Sequence, residues 1–170
     1  MDEFEVRTVI YLPPEDVHGI LLDFERYPRY SDYLASVRAD GDGGVGTEYA
    51  LRFEWRMVSY VAHSRVTEVE PPNRIGFELI RGIEATGAWE IEPAPDRAPE
   101  GRAGSLVRFT ARYDPDTVTS SVVDLPAFVS LSWVIDRAKP LVKREARNVV
   151  ERIVADVEGE RRDVEVTIRS

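Results

Sequence analysis

The chain has 170 residues, of which 43% are hydrophobic and 31% charged, a balance typical of one folded globular domain. It contains no cysteine, which excludes disulfides, thiolate catalysis and cysteine-ligated metal sites. The 22 basic and 31 acidic residues give a net charge of −9. Nucleic acid and anionic membranes should therefore repel the chain unless its basic residues are segregated on one face.

Two features of the sequence bear on the environment of the protein. No apolar run approaches the ~18 residues of a membrane span, and the acidic start MDEFEVRTVI lacks the basic residues of an export signal, so we expect a cytoplasmic protein. Only Lys139 and Lys143 are lysines, and all other basic residues are arginines. This acidic, lysine-poor composition suits a halophilic protein kept soluble in high salt, and a GC-rich genome would favour arginine too.

The first part of the chain predicts a strand followed by two short helices. FEVRTVIYL is rich in β-branched and aromatic residues and ends at a Pro-Pro pair, which indicates a strand. Pro14, followed by two acidic residues, favours a helix start, and apolar residues from Val17 to Phe24 recur at helical spacing. The stretch YPRYSDY predicts a second, irregular helix or turn.

From residue 35 onward, apolar and polar residues alternate, which is the period of a strand. Six segments show the pattern, namely ASVRAD, TEYALRFEW, SYVAHSRVTEVE, RIGFELI, TGAWEIEP and SLVRFTARYD. Stretches rich in glycine or proline, such as GDGGVG and APDRAPEGRAG, separate several of them and are typical of turns and loops. The pattern predicts an antiparallel sheet with one buried face and one wet face.

The last part of the chain predicts a long helix and a short strand. Apolar residues recur at helical spacing over residues 125–157, and Pro140 should kink this helix. The tail DVEVTIRS returns to strand alternation, so residues 159–170 could add a strand to this sheet or pair with the edge of a second chain. A monomer and a homodimer formed through an edge strand are both open.

This order of elements predicts an α+β fold with an antiparallel sheet of seven strands. Such a sheet is roughly 30 Å wide at about 4.8 Å per strand, whereas one helix is only about 10–12 Å across. A single helix therefore leaves space on the concave side of the sheet. Large aromatic side chains fill that space, or it remains as an apolar pocket for a ligand that is mostly hydrocarbon.

The stretch PPEDVHGILLDFERYPRYSDYLASV, the strand pair SRVTEVEPPNRIGFEL and the terminal amphipathic helix resemble the START-related helix-grip superfamily, often abbreviated SRPBCC. The likeness covers residues 4 to about 156 and is greatest to the polyketide cyclase/dehydrase and coenzyme-Q-binding branch. It implies a helix-grip fold, in which a curved seven-stranded antiparallel sheet wraps around a long kinked C-terminal helix and two short helices follow the first strand. Residues 1–158 would form one ligand-binding domain, and 159–170 would be a tail.

Several inward-facing residues are candidates to line the pocket. Tyr30 and Tyr33 would border its mouth and could offer a hydroxyl to a polar head group. The remaining candidates are large apolar residues of the strands and of the long helix: Phe53, Trp55, Phe77, Leu79, Trp89, Ile91, Phe109, Tyr113, Phe128, Leu131 and Ile135.

The sequence offers no convincing catalytic or metal-binding group. His18 is expected to be a solvated surface residue, and His63 faces water if its neighbours face the helix. Asp40 and Asp42 match the first ligands of a calcium loop, but the glycine and glutamate that such a loop requires are missing, so a hairpin turn is favoured. We therefore expect no catalytic residue, no metal and no cofactor.

The function indicated by these observations is binding or transport of a hydrophobic small molecule, a lipid or an isoprenoid quinone, in an internal cavity. An enzyme is the less favoured reading, and it would be a polyketide cyclase or dehydratase. A protein or ribosome interaction module is a second alternative, although the net charge of −9 argues against nucleic-acid partners.

Overall fold

The computed structural model describes residues 1–118, 125–127 and 129–170, and within them the chain forms one antiparallel sheet beside a long helix. The strands are β1 Asp2–Ile10, β2 Leu34–Asp40, β3 Glu48–Trp55, β4 Val58–Glu70, β5 Arg74–Leu79, β6 Ala85–Pro93, β7 Ser105–Tyr113 and β8 Val166–Arg169. Their order across the sheet is β2-β3-β4-β5-β6-β7-β1-β8. The α+β helix-grip prediction is confirmed, and the sheet has eight strands instead of seven.

The additional strand comes from the tail, which pairs with the chain's own β1. Val6 lies opposite Ile168 and Thr8 opposite Val166 in this antiparallel pair. The hydroxyl of Thr8 also donates to the carbonyl of Glu165 at 3.0 Å. Of the two placements left open for the tail, the structure shows the one on this sheet, where β8 forms an edge.

Two helices and three short 3-10 helices complete the described fold. Helix α1 spans Pro14–Leu22, a 3-10 helix follows at Phe24–Arg29, and helix α2 spans Leu131–Glu158. The other 3-10 helices are Pro95–Arg97 and Pro115–Thr117. Helix α2 begins six residues later than the sequence pattern suggested, because the Ser130 hydroxyl caps it by accepting from the Trp133 amide at 3.3 Å. It continues through Pro140 and ends at Gly159, whose φ of +79° terminates the helix.

The hydrophobic core occupies one half of the concave face. The largest fully buried residues of this core belong to α1, to the middle strands and to the second half of α2, and they are Val17, Leu21, Val66, Ile75 and Val154. Helix α2 packs against β1 and β8, whereas α1 packs against β5 and β6. The core therefore surrounds α1 and the C-terminal half of α2.

The expectation for His18 is wrong. Its side chain is only 4% exposed, and its Nε2 lies 3.2 Å from the backbone carbonyl oxygen of Arg74. The residue is buried because α1 packs directly on β5 and β6, a contact that the apolar stripe of α1 alone did not reveal. The imidazole joins α1 to the sheet and is not available to solvent.

Candidate functional site

The other half of the concave face lies beneath the first half of α2, and we call it the concave groove. It comprises the inner faces of β3 and β4 and of the ends of β5 and β7, together with residues 131–145 of α2. Directly paired residues of antiparallel strands share a face, so the pair Phe53 and Tyr60 both point inward. Their rings stack at a centroid distance of 6.3 Å and an interplanar angle of 17°. This pair forms an aromatic wall of the groove.

Three of the predicted pocket residues fill the neighbouring part of the concave face instead of leaving space there. The Phe77 and Phe109 rings stack at 6.0 Å, and the Trp89 ring contacts Phe109 at 4.7 Å. Phe77 also meets Phe24 edge-on at 6.3 Å. Ile91, beside them, is fully within the core. Aromatic filling, one of the two outcomes expected from the sequence, therefore applies on this side.

The groove itself is open to solvent. Phe53, Leu79, Tyr113, Leu131 and Ile135 are all inward-facing and only half-buried. Val142 lies seven residues after Ile135, hence on the same side of α2, and it is 48% exposed. Among the described residues the site is therefore a groove beneath the first half of α2.

Trp55 closes one end of the groove. It ends β3, and its ring stacks on Trp133 of α2 at 5.9 Å and 21°. Phe128, the remaining predicted pocket residue, lies outside the described residues.

Three buried polar atoms lack a hydrogen-bond partner among the described residues, and all are on elements of the groove. They are the Tyr60 hydroxyl, the Ser64 hydroxyl and Oε1 of Glu145. Ser64 shares the inner face because it pairs with Tyr49 on one side and Leu79 on the other. Glu145 follows the buried Val134 by eleven residues, about three helical turns, and so lies on the same side of α2.

These three groups supply hydrogen-bonding atoms to an otherwise apolar groove. Burial raises the pKa of Tyr60, so the phenol stays protonated and able to donate a hydrogen bond. Oε1 of Glu145 lies 3.6 Å from a guanidinium nitrogen of Arg152, which is an ion pair but longer than a hydrogen bond. Donors and acceptors of this kind can orient a carbonyl or hydroxyl group of a ligand.

The sequence prediction did not include these three residues, although a signal for each was present. Tyr60 and Ser64 alternate in phase with Ala62 and Val66, which are both buried. Glu145 lies three residues after Val142 and four before Val149 on the apolar stripe of α2. Attention to polar residues at apolar phases would have found all three.

Tyr30 and Tyr33, predicted at the mouth of the pocket, both make contacts with other residues of the protein. The Tyr30 side chain is 4% exposed and donates to Asp156 of α2. Burial, together with the Asp156 carboxylate, raises the pKa of Tyr30 to about 12. The Tyr33 carbonyl accepts from the Glu54 amide at 2.8 Å, and its side chain is half-buried. The structure thus gives Tyr30 a partner within the protein.

Other clefts formed by the described residues lie away from the groove, and two of them are lined by charged side chains. A cleft of about 270 Å³ on the charged face of the sheet is lined by Glu90, Arg108 and their neighbours, and Ile91 is the one predicted pocket residue that it touches. A cleft of about 530 Å³ lies between α1 and the end of α2, with Glu15, Asp16 and Asp23 in its wall. Their charged linings suit a hydrocarbon ligand poorly.

The described residues contain no cluster of three or more histidine or acidic side chains that could hold a metal ion. No helix in the same part of the chain is both long and apolar enough to cross a membrane.

Comparison with known proteins gives one family and several related folds. The profile described as "Polyketide cyclase / dehydrase and lipid transport" matches residues 1–158. A protein from Thermus thermophilus is 20% identical with a TM-score of 0.64, over 91% of this chain and 99% of that chain. A START superfamily protein from Mycobacterium smegmatis is 17% identical with a TM-score of 0.61, over 93% of this chain and 99% of that chain.

A di-domain ARO/CYC structure is also similar. The di-domain ARO/CYC BexL from the BE-7585A biosynthetic pathway is 18% identical with a TM-score of 0.57, over 88% of this chain and 45% of that chain. No curated protein matches the chain. At these identities the solved structures establish the fold alone.

Proposed function

The chain belongs to the polyketide cyclase / dehydrase and lipid transport family, and from this premise we propose that it binds a largely hydrocarbon small molecule, such as a lipid or an isoprenoid quinone, in the concave groove. The hydrocarbon part of the ligand lies against the Phe53 and Tyr60 wall and beneath α2. Each Å² of apolar surface removed from water contributes about 25 cal/mol, so apolar burial supplies most of the affinity.

The observation that carries this proposal is the buried, unpartnered hydroxyl of Tyr60 within a half-exposed aromatic wall. A buried polar group without a partner costs roughly 1–3 kcal/mol, and such groups are rare in native proteins. A ligand carbonyl that accepts from this hydroxyl removes that cost. A quinone or a lipid ester offers such a carbonyl at one end of a long apolar body.

A second candidate function is a cyclase or dehydratase acting on a polyketone. It is favoured by Glu145, whose Oε1 is buried without a hydrogen-bond partner among the described residues on α2, the element opposite the strand of Tyr60. A carboxylate and a phenol on two sides of a bound carbonyl compound are suitable for general base and general acid roles. Turnover of a polyketone that is abolished by Glu145→Gln would support this function over simple binding.

The test of the binding proposal measures ligand affinity and stability in the same variant. Decylubiquinone is titrated into the purified protein while tryptophan fluorescence is recorded, and native mass spectrometry identifies any molecule that co-purifies. Tyr60→Phe should weaken decylubiquinone binding about five- to tenfold, the value of one hydrogen bond. Its stability should be unchanged or higher, because the variant removes an unsatisfied buried group.

Val61→Ala is the matched control, since Val61 is the next residue on β4 and faces the opposite side of the sheet. It should leave decylubiquinone affinity unchanged. No detectable binding of decylubiquinone, together with no co-purifying apolar molecule, would refute the proposal. A loss of stability in Tyr60→Phe with no loss of affinity would assign the hydroxyl to the scaffold.

A further inference from the structure

The first half of α2 carries a net positive charge in this acidic chain. Residues 131–147 contain five basic and two acidic side chains, a net of +3, whereas the whole chain has a net charge of −9. Both lysines of the chain are in this segment. All five basic side chains are exposed, and they are Arg137, Lys139, Lys143, Arg144 and Arg147.

These cations also lack acidic partners within the described residues. Ion pairs hold eleven arginines of the chain, including Arg74, Arg108 and Arg162, to nearby carboxylates. None of the five basic residues of 131–147 is among those ion pairs, and neither is Arg56 at the β3–β4 turn. A group of unneutralised cations on an acidic protein is complementary to an anionic partner.

Aromatic rings connect the β3–β4 turn to this helix face. The Arg56 guanidinium lies 5.4 Å from the centroid of Trp55, Trp55 stacks on Trp133, and the Arg137 guanidinium lies 5.5 Å from the centroid of Trp133. Trp133 is 38% exposed. Arg137, Arg144 and Arg147 follow Trp133 by four, eleven and fourteen residues, so all four lie along one side of α2.

The residues of the β3–β4 turn point to the same surface. Arg56 adopts a φ of +53°, a conformation that glycine or asparagine adopts at lower cost. Met57, the other turn residue, is 62% exposed. A two-residue hairpin turn ordinarily carries glycine, asparagine or aspartate, so a large cation and a large apolar side chain here need a reason beyond the turn itself.

We propose that the β3–β4 turn and the first half of α2 together dock the protein onto an anionic lipid bilayer. The unpaired cations contact the lipid phosphates, and Met57 and Trp133 enter the interfacial layer. Tryptophan and arginine beside exposed apolar residues suit this layer, where one side of a group is wet and the other apolar. A nucleic acid would use the cations but would leave the exposed methionine without a role.

This surface borders the concave groove, because Trp55 and Trp133 close one end of it. The inference nevertheless stands apart from the identity of any groove ligand, since vesicle binding requires none. A chain of net charge −9 can approach an anionic membrane through this face. Repulsion between the bilayer and the acidic remainder of the protein would orient the basic face toward the lipid.

The experiment measures partition of the purified full chain onto vesicles by co-flotation. Vesicles of phosphatidylcholine alone are compared with vesicles of equal parts phosphatidylcholine and phosphatidylglycerol, at low and at high salt. The protein should bind the anionic vesicles only, and less at high salt. Arg137→Gln/Arg144→Gln, on the side of α2 that carries Trp133, should weaken partition roughly twenty-five-fold, about fivefold for each cation.

Arg38→Gln/Arg161→Gln is the charge-matched control, because both arginines are exposed, lie outside this surface and have no acidic partner among the described residues. It should bind like wild type, and circular dichroism should show that both double variants are folded. Trp133→Ala, which keeps every charge, should also weaken partition.

Four results would overturn the proposal. The first is no binding to anionic vesicles, and the second is equal binding to neutral and anionic vesicles. The third is an equal loss of vesicle partition in the two double variants. The fourth is binding to an oligonucleotide without binding to vesicles, which would assign the surface to nucleic acid.

Discussion

Replacing Glu158 by glutamine tests how the tail is held to the domain. The Glu158 side chain is fully buried at the end of α2 and accepts from Nε and Nη2 of Arg162 at 2.7 and 2.9 Å. It also accepts from the Tyr11 amide at 2.9 Å. Arg162 in turn donates to the Val9 carbonyl at 2.9 Å and lies 3.7 Å from the centroid of the Tyr11 ring. One carboxylate therefore joins α2, the segment after β1 and the chain that leads to β8.

The magnitude follows from burial and from what glutamine retains. Removing one partner of a fully buried ion pair typically costs about 3–5 kcal/mol of stability. The cost should be smaller here, because Arg162 is partly exposed to solvent. Glutamine keeps one oxygen acceptor, so we expect Glu158→Gln to lower the free energy of unfolding by roughly 2–3 kcal/mol at pH 7. For a chain of this size the loss corresponds to a fall in Tm of about 4–12 °C.

The pH dependence gives a second, independent readout. Burial by itself would raise the pKa of Glu158, but the hydrogen bonds from Arg162 and the Tyr11 amide outweigh it and hold the pKa below its ordinary value of 4.5. A carboxyl group whose pKa is lower in the folded state stabilises the protein above its unfolded pKa, and that contribution is lost as the pH falls through the folded pKa. The difference in stability between wild type and Glu158→Gln should therefore be full at pH 7 and should shrink below pH 4.5.

Urea unfolding followed by circular dichroism at several pH values measures both effects. Glu160→Gln is the control, because Glu160 is two residues away and exposed, and its contact with Arg102 is long at 3.5 Å. Equal stability of the two variants at pH 7 would refute the stabilising role of Glu158. So would a difference between wild type and Glu158→Gln that stays constant from pH 7 to pH 3.

Three further substitutions test the packing of the domain. A Cβ at Gly87 would clash with the ring of Phe77, so Gly87→Ala should lower the free energy of unfolding by about 1–3 kcal/mol, whereas Gly19→Ala, with open space on α1, should raise it by about 0.5–1 kcal/mol. Equal effects in thermal unfolding would contradict this packing. Tyr30→Phe should cost about 1 kcal/mol through the lost bond to Asp156. Because the pKa of Tyr30 is raised to about 12, the stabilisation by this phenol is full below pH 10 and falls as the pH rises toward 12, a loss that the variant should not show in urea unfolding.

The sequence determined the strands of the central sheet and their inward faces because alternation is a local property of each strand. The inward phase of Phe53, Phe77 and Phe109 can be read from period two alone, and the register pairs of the structure agree with it. Helix α2 could likewise be recognised from its apolar stripe and its glycine end. The existence of these strands and of α2, and the inward face of each strand, could therefore be predicted without tertiary information.

Residue environments required the tertiary structure, because burial depends on which element covers a face. His18 is polar and lies off the apolar stripe of its helix, yet β5 covers it. From the sequence, the Tyr30 hydroxyl could have bonded to a ligand or to a side chain. In the structure it donates to Asp156, which lies 126 residues later in the chain. The same holds for Glu145: the sequence shows a polar residue among apolar ones, and only the tertiary structure shows that its Oε1 is buried without a hydrogen-bond partner among the described residues.

An α+β domain with an antiparallel sheet and a terminal helix could be inferred from the sequence, since these follow from periods that repeat over many residues. The division of the concave face became clear only in three dimensions. Aromatic rings fill the half beside α1, and among the described residues the half beneath the exposed Val142 stays open. Side-chain volumes from distant segments must be summed in three dimensions before a filled core can be distinguished from a groove.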